Sequence, residues 1–248
     1  MTTNDSSWPD RSSAASGHEP SQRQGEIGVL GNERLTALAG AVLLVLIAVE
    51  VATVSTLRAL LSVHVFVGVL LVGPLAVKFG STGYRFVRYY TGSPAYLHKG
   101  PPQLTLRVLA PLLVASTLAV ISSGIALVVV GPPHAGLLLP MHVLSALFWL
   151  PVLAIHAYAY IRRVPTSLAE EWSNDAAVQV WGRQNRLGVN MVALLGGLIA
   201  AAMLLPVANP WVAWMDTHGA GPGFFIVGMT LVMFALLFAR ALSVKGKP

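Results

Sequence analysis

Three histidines lie inside strongly apolar sequence, where an ionisable side chain is costly and is usually kept for function. His142 and His156 are fourteen residues apart in LLLPMHVLSALFWLPVLAIHAYAY, and His64 lies in LLSVHVFVGVLLVGPLAVKF. At about 100° and 1.5 Å per residue, fourteen helical residues make close to four turns, so both side chains share one face at a separation of roughly 21 Å. Such a helix can offer one ligand to each of two stacked haems. If the segments of His64 and His142 cross a membrane in the same direction, the two histidines share a depth. They can then take the two axial positions of a haem whose plane runs along the membrane normal. Position fourteen after His64 is Lys78, not a second histidine. One haem is therefore expected between His64 and His142, and a second, deeper one would need His156 with a partner the sequence does not identify; His98 is a candidate. Lys78 itself, at the expected end of its span, is expected to snorkel to the headgroups.

Glu50 is the other buried charge, inside the first apolar segment. It has three readings: an acceptor that orients an axial histidine, a proton relay for a quinone, or an interfacial partner of Arg58. Gly68 lies one turn below His64 and Gly73 lies further down, while Ser122, Ser123 and Gly124 reach the depth of the outer histidines on a neighbouring segment. These small residues suit the close approach of a flat macrocycle, and equally the packing of one helix on another. Tyr84, Arg85, Arg88, Tyr89 and Tyr90 form a basic aromatic cluster. Its guanidiniums are candidates for haem propionates or a quinone headgroup, and its ordinary reading is an interfacial belt. His18, His134 and His218 lie outside the apolar segments and are expected to be solvated.

The elements that must position these residues follow from composition. Hydrophobic residues make up 55% of the 248 and charged ones 10%, too apolar a balance for a soluble domain of this length. Six stretches approach or exceed the roughly 20 apolar residues that cross a hydrocarbon core, at 35–57, 59–79, 108–130, 136–161, 188–207 and 224–244. A backbone facing lipid must satisfy its own hydrogen bonds, and the period-two alternation of a barrel is absent, so the expected fold is an all-α polytopic bundle of about six spans. Its core is expected to be a haem-binding four-helix unit.

Lys and Arg collect after the second and fourth spans and at the C-terminus, which predicts cytoplasmic termini for a multi-pass protein of the plasma membrane. Residues 1–34 are polar, Ser-rich and without the pattern of a secretory signal; they are expected to form a disordered cytoplasmic tail before a transmembrane domain at 35–244. Thr166 and Ser167 precede Glu170 at capping-box spacing, which predicts a short interfacial helix carrying Trp172 and Trp181. The net charge of +6 follows the asymmetry of the connections and contact with anionic lipid, with no basic stripe suggesting nucleic acid.

Cysteine is absent, which excludes disulfides, covalently attached c-type haem, thiolate-held iron–sulfur clusters and a nucleophilic thiol. No phosphate loop, dinucleotide fingerprint, zinc-protease helix or serine with a neighbouring base stands out. Redox work would rest on a non-covalently held group, to which the protein contributes ligation, burial and tuning.

The placement of His64, His142 and His156 resembles that in the four-helix b-type cytochromes, such as cytochrome b of quinol-oxidising complexes and the membrane haem subunits of bacterial dehydrogenases and oxidoreductases. The resemblance covers residues 60–161 and departs from the family at Lys78. The tract GSTGYRFVRYYTGSPAYLHKGPP is similar to one in small actinobacterial membrane proteins. The resemblance implies one b-type haem, with a second open, and electron transfer between the quinone pool and a redox partner outside the cytoplasm. It also implies service as a subunit of a larger oxidoreductase rather than as a self-contained enzyme. The competing class is a non-haem transporter or scaffold in which Glu50 and the histidines carry protons; no internal repeat between the two halves supports it.

Overall fold

The computed structural model describes residues 20–101, 104–173, 175, 179–218 and 223–245. His18 and the first nineteen residues of the expected tail lie outside these. Ten α-helices follow one another: α1 (Pro20–Val54), α2 (Leu57–Leu70), α3 (Val72–Tyr90), α4 (Pro94–Lys99), α5 (Leu104–Val130), α6 (Leu138–Tyr160), α7 (Arg163–Trp172), α8 (Arg183–Leu204), α9 (Asn209–His218) and α10 (Gly223–Lys245). Short 3₁₀ turns at Pro132–His134 and Leu205–Ala208 complete the order. The chain is thus an all-α bundle with six segments long and apolar enough to cross a membrane, a multi-pass protein whose outer faces meet lipid.

Six crossings bring the start of α1 and the end of α10 to the same end of the bundle, together with Arg85, Arg88, Lys99, Arg162, Arg163, Arg183 and Arg186. This is the basic end. The opposite end carries the α1–α2 turn, the Pro132–His134 turn and α9, with Arg58 as its basic residue among those described.

Two differences from the sequence-based expectation matter for the site. First, α1 starts at Pro20, so residues 20–34 of the expected tail are helical. Their polar residues are used in tertiary contacts: Glu33 pairs with Arg85 at 3.4 Å and with Lys99, Asn32 donates to the Ser81 carbonyl at 3.0 Å, and Arg34 reaches Glu171 at 3.4 Å. Second, the expected 59–79 span extends to Tyr90 and is broken near its middle. Pro74 has no N–H for the Leu70 carbonyl, the ladder is interrupted there, and α2 and α3 meet at Leu71. Lys78 therefore sits within α3, twelve residues before its end, rather than at the end of the helix.

The expected interfacial helix is α7, but its start is not the Thr166 capping box. It begins at Arg163 with Arg162 as N-cap, and the Thr166 hydroxyl bonds the Arg163 carbonyl inside the helix. Trp172 closes it, whereas Trp181 lies outside it and is 89% exposed. Glu171, 2% exposed, fixes α7 to the bundle: Arg186 of α8 grips both of its oxygens, at 2.9 Å from Nε to Oε1 and 2.9 Å from Nη2 to Oε2.

The principal helix packings fall into two groups. In one, α1, α2, α3 and α8 pack together, with Gly73 of α3 and Gly197 of α8 at the crossing; in the other, α6 packs between α5 and α10. The groups join mainly through α2 against α5 and through α9 with its flanking turns. His64 belongs to the first group and His142 to the second, so the two histidines face each other across the seam.

Candidate functional site

Along that seam, towards the α9 end, lies a cavity of about 380 Å³ lined by α1, α2, α3, α5, α6, α9 and α10. Its walls are overwhelmingly apolar, and its polar features include Glu50, His64, Thr117 and His142. This combination, a mostly apolar concavity with a few converging polar groups, is the usual form of a small-molecule or cofactor site. The ring centroids of His64 and His142 are 6.4 Å apart, with planes at 80°. Two imidazoles on opposite sides of one metal atom would have centroids roughly 6 Å apart, given metal–nitrogen bonds of about 2.0 Å.

Each ring is held through Nδ1. His64 Nδ1 lies 3.1 Å from Glu50 Oε1 and 3.0 Å from Thr53 Oγ1, and Thr53 donates its own proton to the Glu50 carbonyl at 2.6 Å. His142 Nδ1 lies 3.1 Å from the Val120 carbonyl and 3.1 Å from Ser123 Oγ, while Ser123 donates to the Ala119 carbonyl at 2.6 Å. The Val120 carbonyl can only accept, and the Thr53 hydroxyl gives its own proton to the Glu50 carbonyl, so Nδ1 of each neutral ring carries the proton. The lone pair is then on Nε2. This is the tautomer of a ligating histidine whose other nitrogen is anchored to an acceptor.

The glycines acquire definite roles. A Cβ on Gly124 would lie 3.0 Å from His142 Cε1, so this glycine makes room for the ring. A Cβ on Gly68 would lie 3.1 Å from Glu50 Oε1; Gly68 borders the cavity, and its missing side chain accommodates the carboxylate. Gly73 serves helix packing instead, because its Cβ would lie 1.9 Å from the Ala193 carbonyl oxygen. Glu50 is thus not the partner of Arg58. It pairs with His64, and its second oxygen, Oε2, is buried without a hydrogen-bond partner.

His156 is not part of this cluster. It lies towards the basic end, its ring 4.9 Å from that of Tyr160, and it interacts electrostatically with Lys78. Lys78 does not snorkel: its ammonium turns against α1 and donates to the Thr36 carbonyl at 3.1 Å. Lys78 and His156 are thus each fourteen residues on from the upper pair, towards the basic end.

Arg85 and Arg88 are not brought to the histidines. Arg85 is paired with Glu33, and Arg88 donates to Ser93 Oγ at 3.1 Å, both at the basic end. There Tyr84 meets Tyr96 edge to face at 6.1 Å. Burial, reinforced by Tyr84, raises the pKa of the Tyr96 phenol, although nearby Arg88 and Arg85 oppose the shift. His98, the candidate partner of His156, is exposed at the basic end; His134 and His218, expected to be solvated, are exposed as well.

Four contributors escaped the sequence reading: Thr53, Trp149, Trp211 and Trp214. Trp149 borders the cavity and donates to Thr117 Oγ1 at 2.9 Å. The segment taken as a plain connection folds as α9 and closes the cavity's end: Trp211 Nε1 donates to the Leu127 carbonyl at 2.7 Å, and Trp214 packs on Trp211 and stacks on His218. The aromatic spacing in NPWVAWMDTH was the available signal.

Among the described residues, no three or more His, Cys, Asp or Glu come together to hold a bare metal ion. A macrocycle asks for less, since it brings its own equatorial donors and needs an axial pair. Searches of family models, curated proteins and solved structures found no match to this chain.

Proposed function

We propose that this protein is an integral membrane b-type cytochrome that passes electrons between the quinone pool and a redox partner, with haem b held between α2 and α6 by His64 and His142. One observation carries the reading. Two histidines from separate helix groups face one apolar cavity at about the spacing of an axial pair, each anchored through Nδ1 so that Nε2 is the available ligand. The donor set fits a haem: two neutral imidazoles, apolar walls from seven helices and a glycine beside the His142 ring. When bound, the haem would supply one-electron redox chemistry, while the protein would exclude water, fix both ligands and set the electrostatic surroundings.

The basic end faces the cytoplasm in this reading, by the positive-inside rule, and the membrane is the plasma membrane with both termini inside. The histidine pair then lies nearer the outer surface, where α9 separates it from an extracytoplasmic partner. The absence of a visible hydrolytic or group-transfer constellation favours an electron-transfer subunit serving a larger oxidoreductase.

The test is a dithionite-reduced minus oxidised spectrum of purified, haem-supplied protein together with His64→Ala, His142→Ala and His156→Ala. A sharp b-type signal lost in the first two and retained in the third is the expected result. Partial loss in the third would place a second haem beside His156, and absence of any haem from the wild type would remove the cytochrome reading.

A second reading has one observation in its favour. The Lys78, Thr36 and His156 group adds polar atoms a layer below Glu50 and His64, as a proton-conducting transporter would require. Proton uptake by reconstituted vesicles, abolished by Glu50→Gln without any haem in the preparation, would favour it.

A further inference from the structure

We infer that a groove between α6 and α10 binds one anionic phospholipid, with acyl chain laid along α10 and phosphate at the Arg240 end. The site is separate from the histidine cavity and does not depend on haem. The principal neighbour of α10 is α6. Gly228 makes a close contact, since a Cβ there would lie 3.1 Å from Leu150 Cδ1, and Ala235 and Ala239 continue the buried line of α10. Beside that line a second strip is left open. Met229, Val232, Met233, Leu236, Leu237 and Arg240 stand at i, i+3, i+4, i+7, i+8 and i+11, which is one helical face. With Tyr158 of α6 they line a groove of about 350 Å³. Its wall is apolar up to the Tyr158 phenol and the Arg240 guanidinium.

Length and charge together select the occupant. From Met229 to Arg240 the strip rises about 16 Å, at 1.5 Å per residue. That is the depth of one leaflet, half of a hydrocarbon core of about 30 Å. Arg240 is next to the last residue of the apolar segment Gly223–Ala241, so its charge falls where a headgroup begins. The guanidinium is exposed and makes no hydrogen bond or ion pair with any described residue. Arg162 follows Tyr158 by four positions, with Ile161 and Arg162 both in right-handed helical conformation, and it too is exposed without a partner among the described residues. Neither α6 nor α10 carries an Asp or Glu that could answer these charges. A phosphate can, through charge-assisted hydrogen bonds to the guanidinium. A zwitterionic headgroup brings its own ammonium and gains less, so the preference is for a lipid of net negative charge.

The experiment is native mass spectrometry of the full chain, released from micelles supplemented with equal amounts of phosphatidylglycerol and phosphatidylcholine. Wild type should retain one phosphatidylglycerol in preference to phosphatidylcholine. Arg240→Gln should lower that preference about fivefold, the factor expected of one basic residue at an anionic headgroup. Leu236→Trp, which fills the groove, should remove retention of both lipids. Two controls lie outside the groove and should behave as wild type: Arg183→Gln, exposed at the same basic end, and Leu231→Trp, exposed on the same helix. Equal retention of the two lipids by wild type would overturn the inference, as would the same loss in Arg183→Gln as in Arg240→Gln, which is the mark of general surface charge. Equal effects of Leu231→Trp and Leu236→Trp would reduce the bound lipid to the ordinary annulus, and a dimer in place of bound lipid would give the groove to a second copy of the chain; either defeats the site. If Leu236→Trp does not fold, Arg240→Gln against Arg183→Gln decides alone. No arm reads haem, so a failure here leaves the proposed function standing.

Discussion

Gly73 of α3 stands so close to Ala193 of α8 that a Cβ on the glycine would lie 1.9 Å from the alanine's carbonyl oxygen. Backbone meets backbone at this crossing, and the contact is reciprocal, for a Cβ on Gly197 would lie 2.5 Å from the Leu70 carbonyl oxygen. No rotamer change can relieve such a clash, so Gly73→Ala must separate the helices and forfeit their packing. We expect a cost of at least about 3 kcal/mol, the upper part of the range for overpacked interiors. The readout is the yield of monodisperse protein and its melting temperature in detergent. Gly80→Ala is the control, since its Cβ would meet nothing within 4 Å.

Gly124 has a narrower duty than Gly73. Its neighbour is the tip of an imidazole, which can swing, so Gly124→Val should leave the bundle folded while turning His142 away from the seam. The expected outcome is loss of most bound haem with an unchanged far-ultraviolet dichroism spectrum and elution volume. Retention of full haem content would show that His142 is not an axial ligand in the orientation described.

Glu171 is held by Arg186 and Arg34 where α7 meets α1 and α8. Removing one member of a buried ionic group leaves the others uncompensated, typically at a cost of about 3–5 kcal/mol. Glu171→Gln keeps the volume and should destabilise the basic end by that order, seen as a lower melting temperature and earlier proteolysis between α7 and α8. The histidine pair lies in the other half of the bundle, so the haem spectrum of the folded fraction should be unchanged.

The six apolar segments were legible because apolar length is a strong, local signal, and the approach of the His64 and His142 rings to 6.4 Å agrees with the shared depth expected of them. What misled was the assumption that hydropathy marks where a helix ends. Residues 20–34 look like a tail until Glu33, Arg34 and Asn32 find partners far along the chain, and residues 80–90 look like a connection although they continue α3. Lys78 was misplaced by that same error. Gly68 was read as making room for a macrocycle or for a neighbouring helix; it borders the cavity, and its nearest neighbour there is Glu50, a contact between residues eighteen positions apart that no periodicity reveals. The α9 cap was missed because a ten-residue helix with mixed polarity gives no spanning signal.

Lys78 and His156 supply the last prediction. His64 and His142 have counterparts fourteen residues on, in α3 and α6, both towards the basic end. One counterpart is an imidazole; the other is an amine engaged with the Thr36 carbonyl. Lys78→His would replace the ammonium with the side-chain type found in the layer above and remove a charge from an apolar interior, where it is costly. If the seam admits a macrocycle at the lower level, Lys78→His should roughly double the haem-to-protein ratio measured by pyridine haemochrome. The added signal should vanish in Lys78→His combined with His156→Ala, while the outer signal persists. An unchanged ratio in a folded, haem-supplied variant would mean that the lower seam is closed to a macrocycle and that the single-haem arrangement is set by packing rather than by the missing histidine.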